Sequence, residues 1–234
     1  MATSPDAGRA AIIGAIRRGL RRGPLSADAA APLRQRLAGH PRHLIPARSR
    51  LPHAAQVALF IRNLEAAFAT CARVGESEAV PEAVGGYLAG QNLPAEVVVA
   101  PHPEVAGLNW AGRPLLRVRV GRAGPDDAVS VQHGFAGIAE TGTLMLPSAP
   151  DRPTTLNLLP DTAIVVLRAS AVVGAYEEAW DALRAARASE HPLLPRNVML
   201  VTGPSRSADI EQTLELGAHG PRRLHVVLIE DAPL

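Results

Sequence analysis

Val198-Met199-Leu200-Val201-Thr202-Gly203-Pro204-Ser205-Arg206-Ser207-Ala208-Asp209-Ile210-Glu211 opens the stretch on which the fold turns. Gly217-Ala218-His219-Gly220-Pro221 and Leu224-His225-Val226-Val227-Leu228-Ile229 close it. The apolar run Val198 to Val201 reads as a strand. Gly203 can take a backbone conformation closed to other residues, and Pro204 stiffens the turn. Ile210 to Leu216 has helical spacing, with Ser205 and Ser207 as helix N-caps and Asp209 and Glu211 where a helix dipole favours negative charge. Leu224 to Ile229 reads as a second strand. Strand, glycine turn, helix, turn, strand is the pattern of an α/β protein. Such a turn aims free backbone N–H groups past the strand end, which makes it a candidate anion cradle. Capping serines and turn glycines also serve structure alone, and on geometry alone structure comes first.

The rest of the chain extends this pattern. Pro5 to Leu20 is predicted as an amphipathic helix with Ile12, Ile13, Ile16 and Leu20 on one face and Arg17 and Arg18 near its end. Gly23 to Pro52, rich in Pro, Arg and Ala, reads as an irregular arm. Its histidines, His40 and His43, have no helix to hold them and no neighbouring carboxylate, so no metal site is expected. Leu51 to Val74 is predicted as a helix, on the spacing of Val57, Phe60, Ile61, Leu64 and Phe68, with Cys71 a small buried hydrophobe. Beyond it the pattern alternates. Pro81 to Leu88 and Tyr176 to Ala188 suit helices. Glu96 to Ala100, Leu115 to Val120, Val129 to Val131, Thr143 to Leu146 and Ala163 to Leu167 suit strands, with Arg117 and Arg119 on one wet face. A mostly parallel sheet with helices on both faces follows. An N-terminal helical arm over 1–73 and an α/β core domain over 74–234 are the expected divisions, with functional residues at strand C-termini.

Composition narrows the chemistry. Of 234 residues, 47% are hydrophobic but only 3% aromatic, so the core must be built from Ala, Val, Leu and Ile. Net charge is +2 and every basic residue other than histidine is arginine. The small basic excess and the scarcity of aromatic stacking platforms argue against nucleic acid. Without lysine there is no Schiff base and no Walker-type phosphate contact. The one cysteine, Cys71, cannot hold an iron–sulfur cluster or a four-cysteine zinc site, and it suits a reducing cytoplasm. No segment reads as a membrane span or an export signal.

Two residues are catalytic candidates. Glu140 lies between Gly137-Ile138-Ala139 and Thr141-Gly142-Thr143, where a ligand can approach a carboxylate closely. It could equally accept N–H bonds and pin its own turn. His219, flanked by Gly217 and Gly220-Pro221, sits in a turn, where it could move protons or brace the backbone. Gly137, Thr141, Gly142, Thr143, Gly203, Ser205, Arg206, Ser207 and Gly220 are the candidates for contacts to an anionic ligand. The serines lie outside any Gly-x-Ser-x-Gly elbow, so binding or capping is preferred to nucleophilic attack. His133, before Gly134, is a weaker candidate and reads mainly as a loop histidine.

The wording of these blocks is more specific than their geometry. Gly203-Pro204-Ser205-Arg206-Ser207-Ala208-Asp209-Ile210-Glu211 with Gly217-Ala218-His219-Gly220-Pro221 resembles the GPS-x-[ST]-ADIE … G-x-HGP signature of the LUD family, which includes lactate utilization protein C. Gly137 to Leu144 is similar to that family's AE-[ST]-GT segment. Leu158-Leu159-Pro160 with Ile164-Val165-Val166 is similar to its LLP-x-x-x-I strand. The blocks occur in the family's order and cover the C-terminal half. Arg206 stands where many family sequences carry a polar residue. The resemblance implies a NagB/RpiA/CoA-transferase-like α/β fold. It also implies an accessory subunit in the oxidation of L-lactate to pyruvate, beside partner subunits that carry iron–sulfur clusters, with no cofactor on this chain. The alternative is a stand-alone enzyme of CoA-transferase or sugar-phosphate-isomerase type, acting on an anionic small molecule through Glu140. A third reading is an interaction module using the arginine-rich N-terminal arm.

Overall fold

The computed structural model describes residues 5–21, 23–208 and 214–231. Residues 1–43 and 44–234 form separate compact units. The first holds α1 (Pro5–Gly19) and α2 (Ala27–Gly39). α1 follows its apolar periodicity, and Ile12, Ile16 and Leu20 are exposed. α2 corrects the expectation of an irregular arm. Its alanines are the best helix formers, and the Ser26 side chain accepts the Ala29 N–H at 3.2 Å to cap it.

The second unit runs α3 (His53–Ala66), β1 (Thr70–Val74), α4 (Val80–Gly90), β2 (Glu96–Val99), α5 (Pro103–Ala106), β3 (Arg117–Val120), β4 (Val129–His133), β5 (Ala136–Ile138) and β6 (Thr143–Pro147). It continues with β7 (Thr162–Arg168), β8 (Val172–Val173), α6 (Tyr176–Ala186), β9 (Val198–Val201), β10 (Arg206–Ala208), β11 (Leu214–Leu216) and β12 (Arg223–Ile229). Six strands form an all-parallel sheet in the order β1-β12-β7-β4-β2-β3. A second sheet has the order β8-β5-β6-β9, and β10 and β11 pair as an antiparallel hairpin.

Side-chain alternation sorts the layers. From β7 and β12, Ile164, Val166, Val227 and Ile229 pack on one face with Val84 and Leu88 of α4 and Val105 of α5. Ala163, Val165, Leu167, Val226 and Leu228 pack on the other face with Phe60 and Leu64 of α3 and with Leu144 and Leu146 of the second sheet. The far side of that second sheet is covered by Ala179 and Leu183 of α6. The expected mostly parallel α/β sheet with helices on both faces is therefore present. One face shares its cover between a helix and a second sheet.

Two expectations need correction. The helix read over Leu51 to Val74 stops at Ala66, because Phe68 takes a positive φ of 68° that a helix cannot continue. Thr70 to Val74 then becomes an edge strand of the parallel sheet, and α3 belongs to the unit that begins at Leu44. The helix expected at Ile210 to Leu216 is also absent from its described part. Leu214 to Leu216 is a strand, set by its antiparallel pairing with Arg206 to Ala208. Asp209, Ile210 and Glu211 lie outside the described residues. Ser205 therefore caps no helix, and Ser207 is placed by its backbone in β10.

Candidate functional site

The glycines of the signature blocks converge on α3. Gly142 has φ +68°, and a Cβ there would stand 2.3 Å from the Leu64 nitrogen. Gly203 has φ +74°, and a Cβ would stand 2.0 Å from the Ala67 carbonyl oxygen, just past the end of α3. At Gly137 a Cβ would press on Leu167 at 2.9 Å and on the Phe60 ring at 3.0 Å. Asn63 of α3 adds a hydrogen bond from its side-chain amide to the Ala139 carbonyl at 2.8 Å. The backbone-to-backbone approach at Gly142 and Gly203 admits only glycine, whereas at Gly137 the neighbours are side chains. These three glycines form the seat of a helix, which accounts for them without a ligand.

Thr141, Thr143, Tyr176 and Thr202 share a hydroxyl cluster. The fully buried Thr143 hydroxyl lies 2.7 Å from that of Thr141, 2.9 Å from Tyr176 and 2.6 Å from Thr202. One donor hydrogen and two lone pairs satisfy three partners. The Thr143–Thr202 bond and the β6–β9 pairing join the Glu140 block to the Gly203 block. Glu140 itself sits at the end of β5, its N–H donating to the Gly174 carbonyl at 3.1 Å. Its side chain is 8% exposed, with the Arg48 guanidinium 3.9 Å away and no hydrogen bond among the described residues.

Ser205, Arg206, His219 and Gly220 line a different space, a cleft of about 290 Å³ that also includes Gln132, Asn157 and Thr202. The backbone of Ser205 is tied to Pro221 and Gly217, and its side-chain oxygen accepts the His219 N–H at 3.4 Å. Arg206 stacks over the Phe68 ring at 3.5 Å, a cation–π contact that fixes the hairpin. Asn157 is buried. Its amide nitrogen donates to the Met199 sulfur at 3.3 Å, while its carbonyl oxygen has no partner. Glu140, Gly137, Thr141, Gly142 and Thr143 do not line this cleft. Among the described residues, no group of three or more His, Cys, Asp or Glu is placed to hold a metal ion.

A third cluster runs along the C-terminal edge of the parallel sheet, where α/β proteins bind ligands. His102 follows β2, His133 ends β4, Arg168 ends β7 and Asp231 follows β12. The two histidine rings stack at 3.9 Å. Arg168 donates to Glu104 at 2.6 Å and pairs with Asp231 at 3.5 Å. The hydrogen bond to Glu104 raises the Arg168 pKa. Burial would raise that of Asp231, but the Ser170 backbone N–H and hydroxyl donate to it and hold it low.

Burial pushes His133 down to about 3, with His102 and Arg152 adding to the effect. His102 is lowered by burial and by Arg152. Arg152 Nη2 lies 3.0 Å from His102 Nε2. A guanidinium only donates, so Nε2 is the acceptor and Nδ1 carries the proton. The 3.4 Å approach of the Glu104 N–H to Nδ1 is then a contact and not a hydrogen bond.

Of this cluster the sequence singled out only His133. The available signal was positional: each member is the first or second polar residue beyond an apolar strand.

Residues 129–229, from the first residue of β4 to the last of β12, match the family model of the LUD domain. This stretch is similar to a LUD domain. Across 104 residues the chain is 41% identical to an uncharacterized protein of Neisseria meningitidis serogroup B, covering 43% of each chain. It is 37% identical over 94 residues to lactate utilization protein C of Bacillus subtilis, covering 40% of this chain and 39% of that protein. With lactate utilization protein C of Bacillus licheniformis it shares 36% identity over 94 residues and the same coverage. The chain thus spans about two-fifths of the length of these curated relatives. The crystal structure of a DUF162 family protein from Deinococcus radiodurans superposes with a TM-score of 0.56. That likeness covers 76% of this chain and 99% of that one at 23% identity, and it bears on the fold alone. The matched range takes in the Glu140 block, the lining of the Ser205 cleft and the hairpin, and leaves α3, on which its glycines rest, outside.

Proposed function

We propose that this chain is a lactate utilization protein C-like accessory subunit in the oxidation of L-lactate to pyruvate, working beside partner subunits that carry iron–sulfur clusters. The observation that carries this reading is the LUD domain shared with relatives named lactate utilization protein C. The geometry supports a non-catalytic role. Three signature glycines are accounted for by the seat of α3, and Glu140 lies outside the cleft that His219 lines. Cluster chemistry is assigned to partners because a single cysteine, Cys71, cannot supply the ligands of an iron–sulfur cluster. The exposed Ile12, Ile16 and Leu20 beside Arg17 and Arg18 offer a surface for a partner to cover. No helix among the described residues is long and apolar enough to cross a membrane. Placement in the cytoplasm belongs to the same proposal.

Deletion of the gene is expected to impair growth on L-lactate and spare growth on glucose. Affinity purification of the tagged chain from lactate-grown cells is expected to recover iron-containing partners and lactate-dependent dye reduction. Normal growth on lactate without a duplicate gene, together with a chain that purifies alone and colourless, would overturn the proposal.

A second reading, a stand-alone enzyme acting on an anionic small molecule, rests on Glu140. A carboxylate that is 8% exposed, lacks a hydrogen bond and has one cation 3.9 Å away is a costly arrangement of the kind catalytic sites keep. Turnover by the purified chain that is lost in a folded Glu140→Gln variant would favour it. Unchanged turnover in that variant would remove it.

A further inference from the structure

A large cleft in the second unit lies apart from every signature residue. It has a volume of about 860 Å³ and runs between the segment after β6 and the segment after α6. Four arginines line it, Arg122, Arg152, Arg187 and Arg196, against two carboxylates, Asp151 and Glu190. Arg187 pairs with Glu190 at 2.8 Å. Among the described residues the other three arginines make no ion pair. Arg152 is held in place from behind: one terminal nitrogen donates to His102 and its guanidinium lies 5.9 Å from the Phe135 ring centre. Its Nε is buried with no partner.

A buried guanidinium N–H without an acceptor is unfavourable in the free protein, and an incoming oxyanion would satisfy it. The neighbouring histidines, His102 and His133, stay neutral near pH 7 and add no charge of their own. The remaining wall combines apolar, stiff residues, among them Phe135, Leu183 and the prolines Pro147, Pro150, Pro153 and Pro195, with the polar Ser148, Thr154, Thr155 and Asn197. Three forked cations suit several oxygens at once, more than a single carboxylate offers. A cleft of this size fits a ligand far larger than a three-carbon acid.

We propose that this cleft binds a diphosphate ester with a planar or apolar body, such as a nucleotide, with Arg122, Arg152 and Arg196 holding the phosphates and Phe135 and Leu183 facing the body. The assignment is independent of the lactate role, and either can fail without the other.

The test is isothermal titration of the full chain with ADP, coenzyme A, inorganic pyrophosphate and L-lactate. ADP or coenzyme A is expected to bind with a dissociation constant below about 1 mM, more tightly than pyrophosphate, and to weaken as salt rises. Arg122 and Arg196 are exposed, so the double variant R122A/R196A is expected to fold normally by circular dichroism. It should lose at least about 10-fold in affinity. Glu140→Gln, remote from the cleft lining, should bind as the parent does. The proposal is overturned if neither ADP nor coenzyme A binds at about 5 mM, well above the expected range. It is also overturned if the folded double variant binds undiminished, or if pyrophosphate or lactate binds as tightly as the esters.

Discussion

Replacing Gly142 by alanine tests whether the AE-[ST]-GT block is a helix seat or a ligand contact. The new Cβ would stand 2.3 Å from the Leu64 nitrogen, 2.5 Å from the Asn63 carbonyl carbon and 2.8 Å from the Leu64 Cα. All three are backbone atoms of α3, so no side chain can rotate away, and the nearest is roughly 1 Å inside ordinary contact. α3 must therefore withdraw and loosen Phe60 and Leu64, both fully buried. Alanine at φ +68° adds strain of its own. Together the two effects predict a loss of about 2–5 kcal/mol. For a unit of this size that is a fall in melting temperature of roughly 5–15 °C. Thermal and urea unfolding followed by circular dichroism would measure it. Gly220→Ala is the control, because its nearest neighbour would be Ser205 Cβ at 3.6 Å, and it should stay within about 1 kcal/mol of the parent. If Gly142→Ala also stays within about 0.5 kcal/mol, the packing account is refuted and a ligand contact becomes the better explanation of the glycine.

Three further outcomes are expected. Burial holds His133 near 3 and His225 near 4, so the unfolded chain takes up their protons below its ordinary value of 6.5 while the folded chain does not. Stability should be level above about pH 7 and fall below about pH 6.5, by up to about 1.4 kcal/mol per pH unit for each histidine, until the folded values are reached. Urea midpoints taken between these limits should show this, with a shallower slope in His133→Gln, and a flat profile down to about pH 5 would contradict it. The half-buried Cys71 thiol, pushed up to about 12 by desolvation, should react with iodoacetamide on the order of 10³-fold more slowly in the folded chain than in urea, and equal rates would rule out that shift. Thr143→Val removes the centre of a buried hydroxyl cluster and should destabilise by about 1–3 kcal/mol, against under about 1 kcal/mol for Thr202→Val at its exposed end; denaturant titration that ranks them the other way would place the centre elsewhere.

The parallel sheet was legible because both of its faces are buried. Strands such as Val97-Val98-Val99 and Ile164-Val165-Val166 must be apolar throughout, and that leaves a continuous run in the sequence. Segments governed by something other than hydrophobic period were misread. α3 ends at Ala66 because Phe68 takes a left-handed conformation, which no apolar spacing announces. Leu214-Glu215-Leu216 is too short for strand and helix periods to be told apart. α2 has no buried residue and so no apolar stripe to reveal it. Its helix comes from alanine propensity and one serine cap.

The same contrast explains why sequence wording and site chemistry point to different parts of the molecule. A motif is recognised by residue types that sit close together in the chain, and the Gly142 and Gly203 turns are of that kind. Each is a local device whose purpose, the approach to α3, is not itself part of the motif. The cluster at the sheet's C-terminal edge is assembled in the opposite way. His102, His133, Arg168 and Asp231 come from four separate strand ends, and only the order β12-β7-β4-β2 sets those ends side by side. Once that order is known the meeting follows from register, since β4 pairs His133 with Val166, two residues before Arg168, on β7. Arg152 joins from a loop and carries an unpaired buried N–H to the wall of the arginine cleft. Charge held by neutral histidines at the ends of parallel strands is a property of topology, and it becomes visible only when strand order is added to composition.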